Sequence, residues 1–203
     1  MSPTFFLLIR HGMTDAVGRL MTGHAPGVHL NDEGRAQAAS LPERVVGAPI
    51  AAVYASPLER TRDTAQALAD ARALTVQIEP RLIEIDFGEW SGRRFADLVT
   101  DPHWQQYNAV RSIARPPAGE SLLEVQQRAV SAILDMRAKH EGEVVAVVTH
   151  ADPLRAILLY FLGMPIDFVL RLELWPGRIS VLRLGAGAPA VLQVNGETVS
   201  ALS

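Results

Sequence analysis

Three short, uninterrupted apolar runs constrain this chain more than any other feature: Phe5 to Ile9, Ile50 to Tyr54 and Val144 to Val148. A strand with one wet face alternates apolar and polar residues, whereas a strand covered on both faces does not. Segments of helical period lie between the runs. Asn31 is placed to cap a helix from Asp32 to about Val46, which Pro42 is expected to kink or split. Ser56-Pro57-Leu58-Glu59 has the form of a capping box with proline at the first helical position, opening a helix to about Arg72. Leu74 to Ile78 is a third strand candidate. Ser121 and Glu124 form a second capping box, followed by apolar residues at 122, 125, 129, 133 and 136. Asp152-Pro153 begins a further helix, which Gly163 ends. Phe168 to Trp175, Ile179 to Leu184 and Val191 to Val194 read as later strands, the last two pairing as a hairpin around the turn glycines 185 and 187.

Strands that alternate with helices predict an α/β fold with a mostly parallel sheet covered on both faces. Residues 80 to 118 break the alternation with prolines at 80, 102, 116 and 117 and aromatics at 87, 90, 95, 104 and 107. No repeat or linker divides the 203 residues. The chain is therefore read as a single domain, 1–203, with a lid-like segment at about 84–118, whose aromatics are expected mainly to pack it, Trp90 and Trp104 being open to either role.

In open α/β sheets, ligands bind beyond the carboxyl ends of the strands. The first run leads into Arg10, His11 and Gly12, the second into Ser56 and, a helical turn on, Arg60, and the fourth strand into Thr149 and His150. Two arginines and two histidines on one rim suit a phosphoryl group. Guanidinium forks match phosphate oxygens, a helix N-terminus adds N–H donors, and neutral imidazole is a good nucleophile near neutral pH. Arg10 and His11 can share a pocket only if the strand ends there, because neighbours in a strand face opposite ways. Gly12 would let the backbone turn beside the nucleophile. A leaving alkoxide needs a proton, and Glu84, Asp86 and Glu89 are all candidates, since burial and a facing phosphate raise a carboxyl pKa.

Composition excludes other chemistries. A formal net charge of -3 gives no bulk basic field, so neither nucleic acid nor an anionic membrane is an expected partner. The chain contains no cysteine, which removes disulfides, cysteine nucleophiles and thiolate metal sites and fits a cytoplasmic location. The N-terminal run has no basic start and no small-residue cleavage site, so no secretory leader is expected. The apolar stretch from Leu154 to Met164 holds Arg155 and is too short for a bilayer. His11, His24 and His29 have no spacing of a zinc site, and His24, His29, His103 and His140 read as surface or loop residues. Nothing in the sequence points to an oligomeric state.

Four ordered segments resemble the histidine phosphatase superfamily, which includes the cofactor-dependent phosphoglycerate mutases. Leu8-Ile-Arg-His-Gly12 is similar to its catalytic motif, and Ser56-Pro-Leu-Glu-Arg-Thr-Arg-Asp-Thr-Ala65 to its second phosphate-binding segment. Residues 82–92, Leu-Ile-Glu-Ile-Asp-Phe-Gly-Glu-Trp-Ser-Gly, resemble its acid-bearing loop, and Val147-Val-Thr-His-Ala151 its second histidine motif. The resemblance implies a three-layer α/β/α sandwich of phosphoglycerate mutase-like type, working without metal or cofactor. It makes His11 the nucleophile, Arg10, Arg60 and His150 phosphate ligands, and Glu84 the proton donor. It also places Thr22 where a hydroxyl often contacts phosphate. Met13 and Val17 depart from the family's usual glutamate and asparagine, and the insertion usual in mutases is absent. Thr22 to Pro26, with His24, is similar to the α-ribazole phosphatase branch. The expected function is hydrolysis of a small phosphorylated metabolite through a phosphohistidine. A phosphoglycerate mutase-type phosphotransferase and a phosphate-ligand binding protein without turnover are the alternatives.

Overall fold

A computed structural model describes residues 2–199 and Leu202. Six strands form one sheet: β1 (Thr4–Arg10), β2 (Ile50–Ala55), β3 (Val76–Ile78), β4 (Val144–Thr149), β5 (Ile179–Leu184) and β6 (Ala190–Gly196), in the order β3-β2-β4-β1-β5-β6. β3, β2, β4 and β1 run parallel, and the closing β5–β6 hairpin adds the antiparallel edge through β5 against β1. Alternation along β1 explains its unbroken apolar run. Phe5, Leu7 and Ile9 enter one core with Leu41, Val45, Ala65 and Leu68, while Phe6 and Leu8 enter another with Ala129, Ile133, Leu154 and Ile157. The first group comes from around α1 (Asp32–Arg44) and α2 (Glu59–Asp70), the second from α5 (Leu122–Lys139) and α6 (Ala151–Leu162). The sheet is thus the middle of three layers.

Local chemistry sets most boundaries. Asn31 accepts from the Gly34 N–H and caps α1, and the Ser121–Glu124 capping box is fully formed at α5. Gly163 ends α6 at φ 65°, a left-handed position that suits glycine. Between α2 and α5 the chain forms short pieces: 3₁₀ turns at Pro80–Leu82 and Gly88–Trp90, α3 (Phe95–Leu98) and α4 (Pro102–Ala109). These pieces close over a third core, in which Trp90 lies edge-on to Trp104 and Tyr107 at centroid distances of 5.4 and 5.3 Å.

Four expectations are corrected. Pro42 does not split α1, which runs unbroken and ends within the same turn. The strand expected from Leu74 begins only at Val76. Ser56 does not cap α2, whose cap residue is Leu58 without a side-chain bond; the Ser56 hydroxyl is engaged by His150 instead. Phe168 to Trp175 is not a strand. Ile166–Arg171 forms a 3₁₀ helix, and the carbonyls of Leu172 and Leu174 accept from Arg155 and Arg10, so arginines take the place of a strand ladder.

The start of α1 is pressed against the end of β1 closely enough to dictate glycine on both sides. A Cβ on Gly12 would meet the Gly34 carbonyl oxygen at 2.7 Å, and one on Gly34 would meet the Met13 carbonyl oxygen at 2.0 Å. Gly47, by contrast, has nothing within 4 Å of an added Cβ. Gly34→Ala is expected to cost roughly 1–3 kcal/mol in denaturant unfolding, and Gly47→Ala to stay within about 0.5 kcal/mol of the parent.

Candidate active site

The sheet register brings the rim residues together. Arg10 pairs with Thr149 across β1 and β4, the His11 N–H donates to the Thr149 carbonyl at 2.9 Å, and the Ser56 N–H donates to the Val148 carbonyl at 3.1 Å. β1 ends at Arg10, so His11 is released from strand alternation and both side chains reach the same cavity. Gly12 is needed for close approach to Gly34 and not for a positive φ. Its N–H donates to Thr64 Oγ1 at 3.0 Å, tying the loop after β1 to α2.

The two buried histidines have opposite tautomers, each set by its partner. The Gly12 carbonyl lies 2.7 Å from His11 Nδ1 and can only accept, so Nδ1 carries the proton and Nε2 presents a lone pair. Arg60 Nε donates to His150 Nδ1 at 3.2 Å, so His150 carries its proton on Nε2 and donates to Ser56 Oγ at 2.7 Å. The rings stand edge to face with centroids 5.3 Å apart. Burial, reinforced by the neighbouring arginines, holds both imidazoles well below the usual histidine range, which keeps them neutral.

The arginines around His11 are incompletely satisfied. Arg60 is buried and gives Nη2 to the Gly23 carbonyl at 2.9 Å, while Nη1 has no acceptor. Arg10 gives Nη1 to the Leu174 carbonyl at 2.6 Å, while Nε has none. Burial lowers the Arg10 pKa to about 10, which leaves it charged at neutral pH. Buried donors without acceptors are costly in a folded protein, which makes these two candidates to take an anion.

Glu84 is a buried carboxylate of this rim, as is Asp152. Desolvation, and then the negative charge of Asp152, push the Glu84 carboxyl up to about 7. Its Oε1 accepts the Ile85 N–H at 2.9 Å, and its carbonyl accepts from His24 Nε2 at 2.7 Å and Arg128 Nη2 at 3.1 Å. His24 is therefore no mere loop residue, because it anchors the acid's backbone. Asp86 accepts the Gly88 N–H in a local turn.

Arg10, His11, Thr22 and Glu84 line a cavity of about 340 Å³, and the buried His150, whose ring centroid is 5.3 Å from that of His11, and the buried Arg60 bonded to it adjoin this site. Val17 and Leu20 supply apolar wall on one side. Phe87, Phe95, Trp104, Asn108 and Arg111 come from the segment after Glu84, and Asp152 and Arg155 from the first turns of α6. Sequence reasoning passed over Asn108, Arg111, Asp152 and Arg155. None stands beside a strand end in a recognisable pattern, although Asp152 and Arg155 lie three residues apart in the helix that follows His150. Among the described residues no group of three or more histidines or carboxylates is placed to hold a metal ion, and no helix is long and apolar enough to cross a membrane.

The histidine phosphatase superfamily (branch 1) model matches residues 6–197. Among curated relatives, the bifunctional protein Rv2228c of Mycobacterium tuberculosis is 36% identical over 201 residues, covering 96% of this chain and 54% of that protein. The chain thus spans about half the length of that relative. Phosphoserine phosphatase 1 of Hydrogenobacter thermophilus is 32% identical over 174 residues, covering 79% of this chain and 77% of that enzyme. Among solved structures, YhfR of Bacillus stearothermophilus superposes with a TM-score of 0.88 at 30% identity over 98% of both chains.

A carboxyl with an ordinary pKa of 4.5 when unfolded and about 7 when folded binds more protons in the folded state between those values, so it subtracts stability as pH rises through that window. Glu84→Gln removes this penalty while its amide oxygen can still accept from Ile85. In denaturant unfolding, the stability of Glu84→Gln relative to the parent should rise by about 2 kcal/mol between about pH 5 and about pH 8.

Proposed function

This chain belongs to the histidine phosphatase superfamily, and on that premise we propose that it hydrolyses phosphate monoesters of small metabolites through a phosphohistidine on His11. The observation that carries the proposal is the aim of His11. Its Nδ1 is locked to the Gly12 carbonyl, which leaves Nε2 free, and the two buried arginines whose charges act on this ring, Arg10 and Arg60, each hold a donor that lacks an acceptor. Relatives named as phosphatases support the hydrolytic outcome. The cavity of about 340 Å³ suits a small substrate.

In this reading Arg10 Nε and Arg60 Nη1 take the phosphate oxygens, and His150 Nε2–H turns from Ser56 to a third. The Thr22 hydroxyl contacts the phosphate from the cavity wall. His11 Nε2 attacks phosphorus in line as the ester P–O bond breaks, and protonated Glu84 gives its proton to the leaving alkoxide. Glu84 then takes a proton from water as that water attacks phosphorus and the N–P bond breaks, releasing inorganic phosphate and returning the lone pair to Nε2 of neutral His11. Val17 lines the cavity as an apolar residue, which leaves the phosphate contacts to the arginines and histidines. We take the chain as one domain in which residues 84–118 cover the cavity, and place it in the cytoplasm on its cysteine-free composition.

The test is release of phosphate from a panel of phosphate esters by the purified protein, with and without EDTA. Activity is expected to survive the chelator and to fall on the order of 10³-fold or more in His11→Ala. Loss of activity in EDTA would overturn the reading, and isomerised ester formed faster than free phosphate would favour a mutase. The pH profile is a second check. Because Glu84 must be protonated to act as acid, kcat/KM should decline above about pH 7. Asp152→Asn removes a charge that raises the Glu84 pKa, so it should move this limb to lower pH.

A further inference from the structure

The peptide group that holds His11 is itself held from behind. The Gly12 carbonyl that accepts from His11 Nδ1 shares one peptide plane with the Met13 N–H, and a trans peptide points the two in opposite directions. On the far side, the Met13 N–H donates to Gln37 Oε1 at 2.8 Å. Gln37 Nε2 in turn donates to Glu33 Oε1 at 3.0 Å, one turn earlier on α1. An N–H can only donate and a carboxylate can only accept, so one orientation of the Gln37 amide serves both. The hydrolytic steps make no use of this half-buried residue. An added Cβ at Gly177 would lie 3.1 Å from the Gln37 Cβ and 3.2 Å from its Oε1, so that turn confines the side chain. The Gly177 N–H meanwhile donates to the carbonyls of Arg10 and His11 at 3.0 and 3.2 Å. Gln37 is therefore fixed beside the backbone at which β1 ends.

These links all run the same way. His11 Nδ1–H donates to Gly12, the Met13 N–H to Gln37, and the Gln37 amide to Glu33. Hydrogen-bonded amides polarise one another, so a carboxylate at the far end places more negative charge on the Gly12 oxygen and tightens its grip on Nδ1–H. That grip has work to do, because a free neutral histidine prefers its proton on Nε2, where no lone pair would be left for attack. A Gly12–Met13 peptide without an acceptor for its N–H could rock, and glycine on one side of it offers little resistance. We propose that Gln37 is a positioning residue: by accepting the Met13 N–H it keeps the Gly12 carbonyl on His11 Nδ1, and so keeps the attacking lone pair on Nε2. His150 supplies a comparison within the same site, since Arg60 fixes its tautomer instead.

The effect of Gln37 on rate rests on the phosphomonoesterase reading, whereas the tautomer is measured without turnover. Proton–nitrogen correlation spectra of the isotope-labelled full chain report which ring nitrogen of each histidine carries the proton, and His11 is assigned by its loss in His11→Ala. Gln37→Met keeps the length of the side chain and removes the acceptor. In this variant the His11 signals should move toward the form protonated on Nε2, while those of His150 stay in place. Its kcat/KM for para-nitrophenyl phosphate should fall about 5- to 10-fold. Gln37→Glu combined with Glu33→Gln restores an acceptor for Met13 and a donor facing it, so the pair should recover the parent's tautomer and most of the rate. Gln37→Leu carries the same test if Gln37→Met does not fold. A His11 tautomer unmoved in the folded variant overturns the proposal, even where the rate falls. A tautomer that follows Gln37 in a protein that releases no phosphate would refute hydrolysis and leave the role of Gln37 standing; phosphate release with an unmoved tautomer would do the reverse.

Discussion

The hydrogen bond between His11 Nδ1 and the Gly12 carbonyl is the contact on which the site depends. It fixes the tautomer, leaves the lone pair on Nε2, and uses the residue next in sequence to do so. That geometry requires the chain to leave β1 abruptly after Arg10, which it does against Gly34, with Thr64 holding the Gly12 N–H from α2. The backbones approach so closely at this point that neither glycine can carry a side chain without a shift. The parallel pairing of β1 with β4 sets the second histidine beside the first, where Arg60 fixes the opposite tautomer. Sheet register, two glycines and two hydrogen bonds thus define where the imidazole points.

Electrostatics follow from that placement. Burial keeps the histidines neutral and leaves Arg10 and Arg60 charged with donors unspent. Each unspent donor costs roughly 1–3 kcal/mol in the free protein, a cost that the phosphate of the proposed substrate would offset on binding. The same burial acts oppositely on Glu84, where the carboxyl keeps its proton to about pH 7 with Asp152 nearby. One cavity therefore holds a neutral base and a protonated acid together, the combination that the proposed transfer of a phosphoryl group needs at its start.

Much of this was legible in the sequence, for identifiable reasons. Strands buried on both faces announce themselves as unbroken apolar runs, so β1, β2 and β4 were readable, and with them the rim positions of His11, Arg60 and His150. The Ser121 box at α5 and Gly163 at the end of α6 act locally and were equally plain. Errors arose where tertiary partners outbid local ones. Ser56 has the composition of a cap, yet its hydroxyl meets His150, and Leu172 and Leu174 have strand-like character, yet their carbonyls serve arginines. His24, Arg111 and Asp152 were unreadable because each acts through contacts made across the chain, on Glu84 or within the cavity wall.

In the proposed mechanism, phosphoryl transfer passes through one nitrogen of one residue. The most direct measurement is to mix the protein with a hydrolysed ester, quench within the steady state into base, where phosphohistidine persists, and map the phosphoryl group by mass spectrometry and phosphorus NMR. Phosphate is expected on Nε2 of His11. Phosphate on Nδ1, phosphate on His150, or an unmodified protein under full turnover would contradict it.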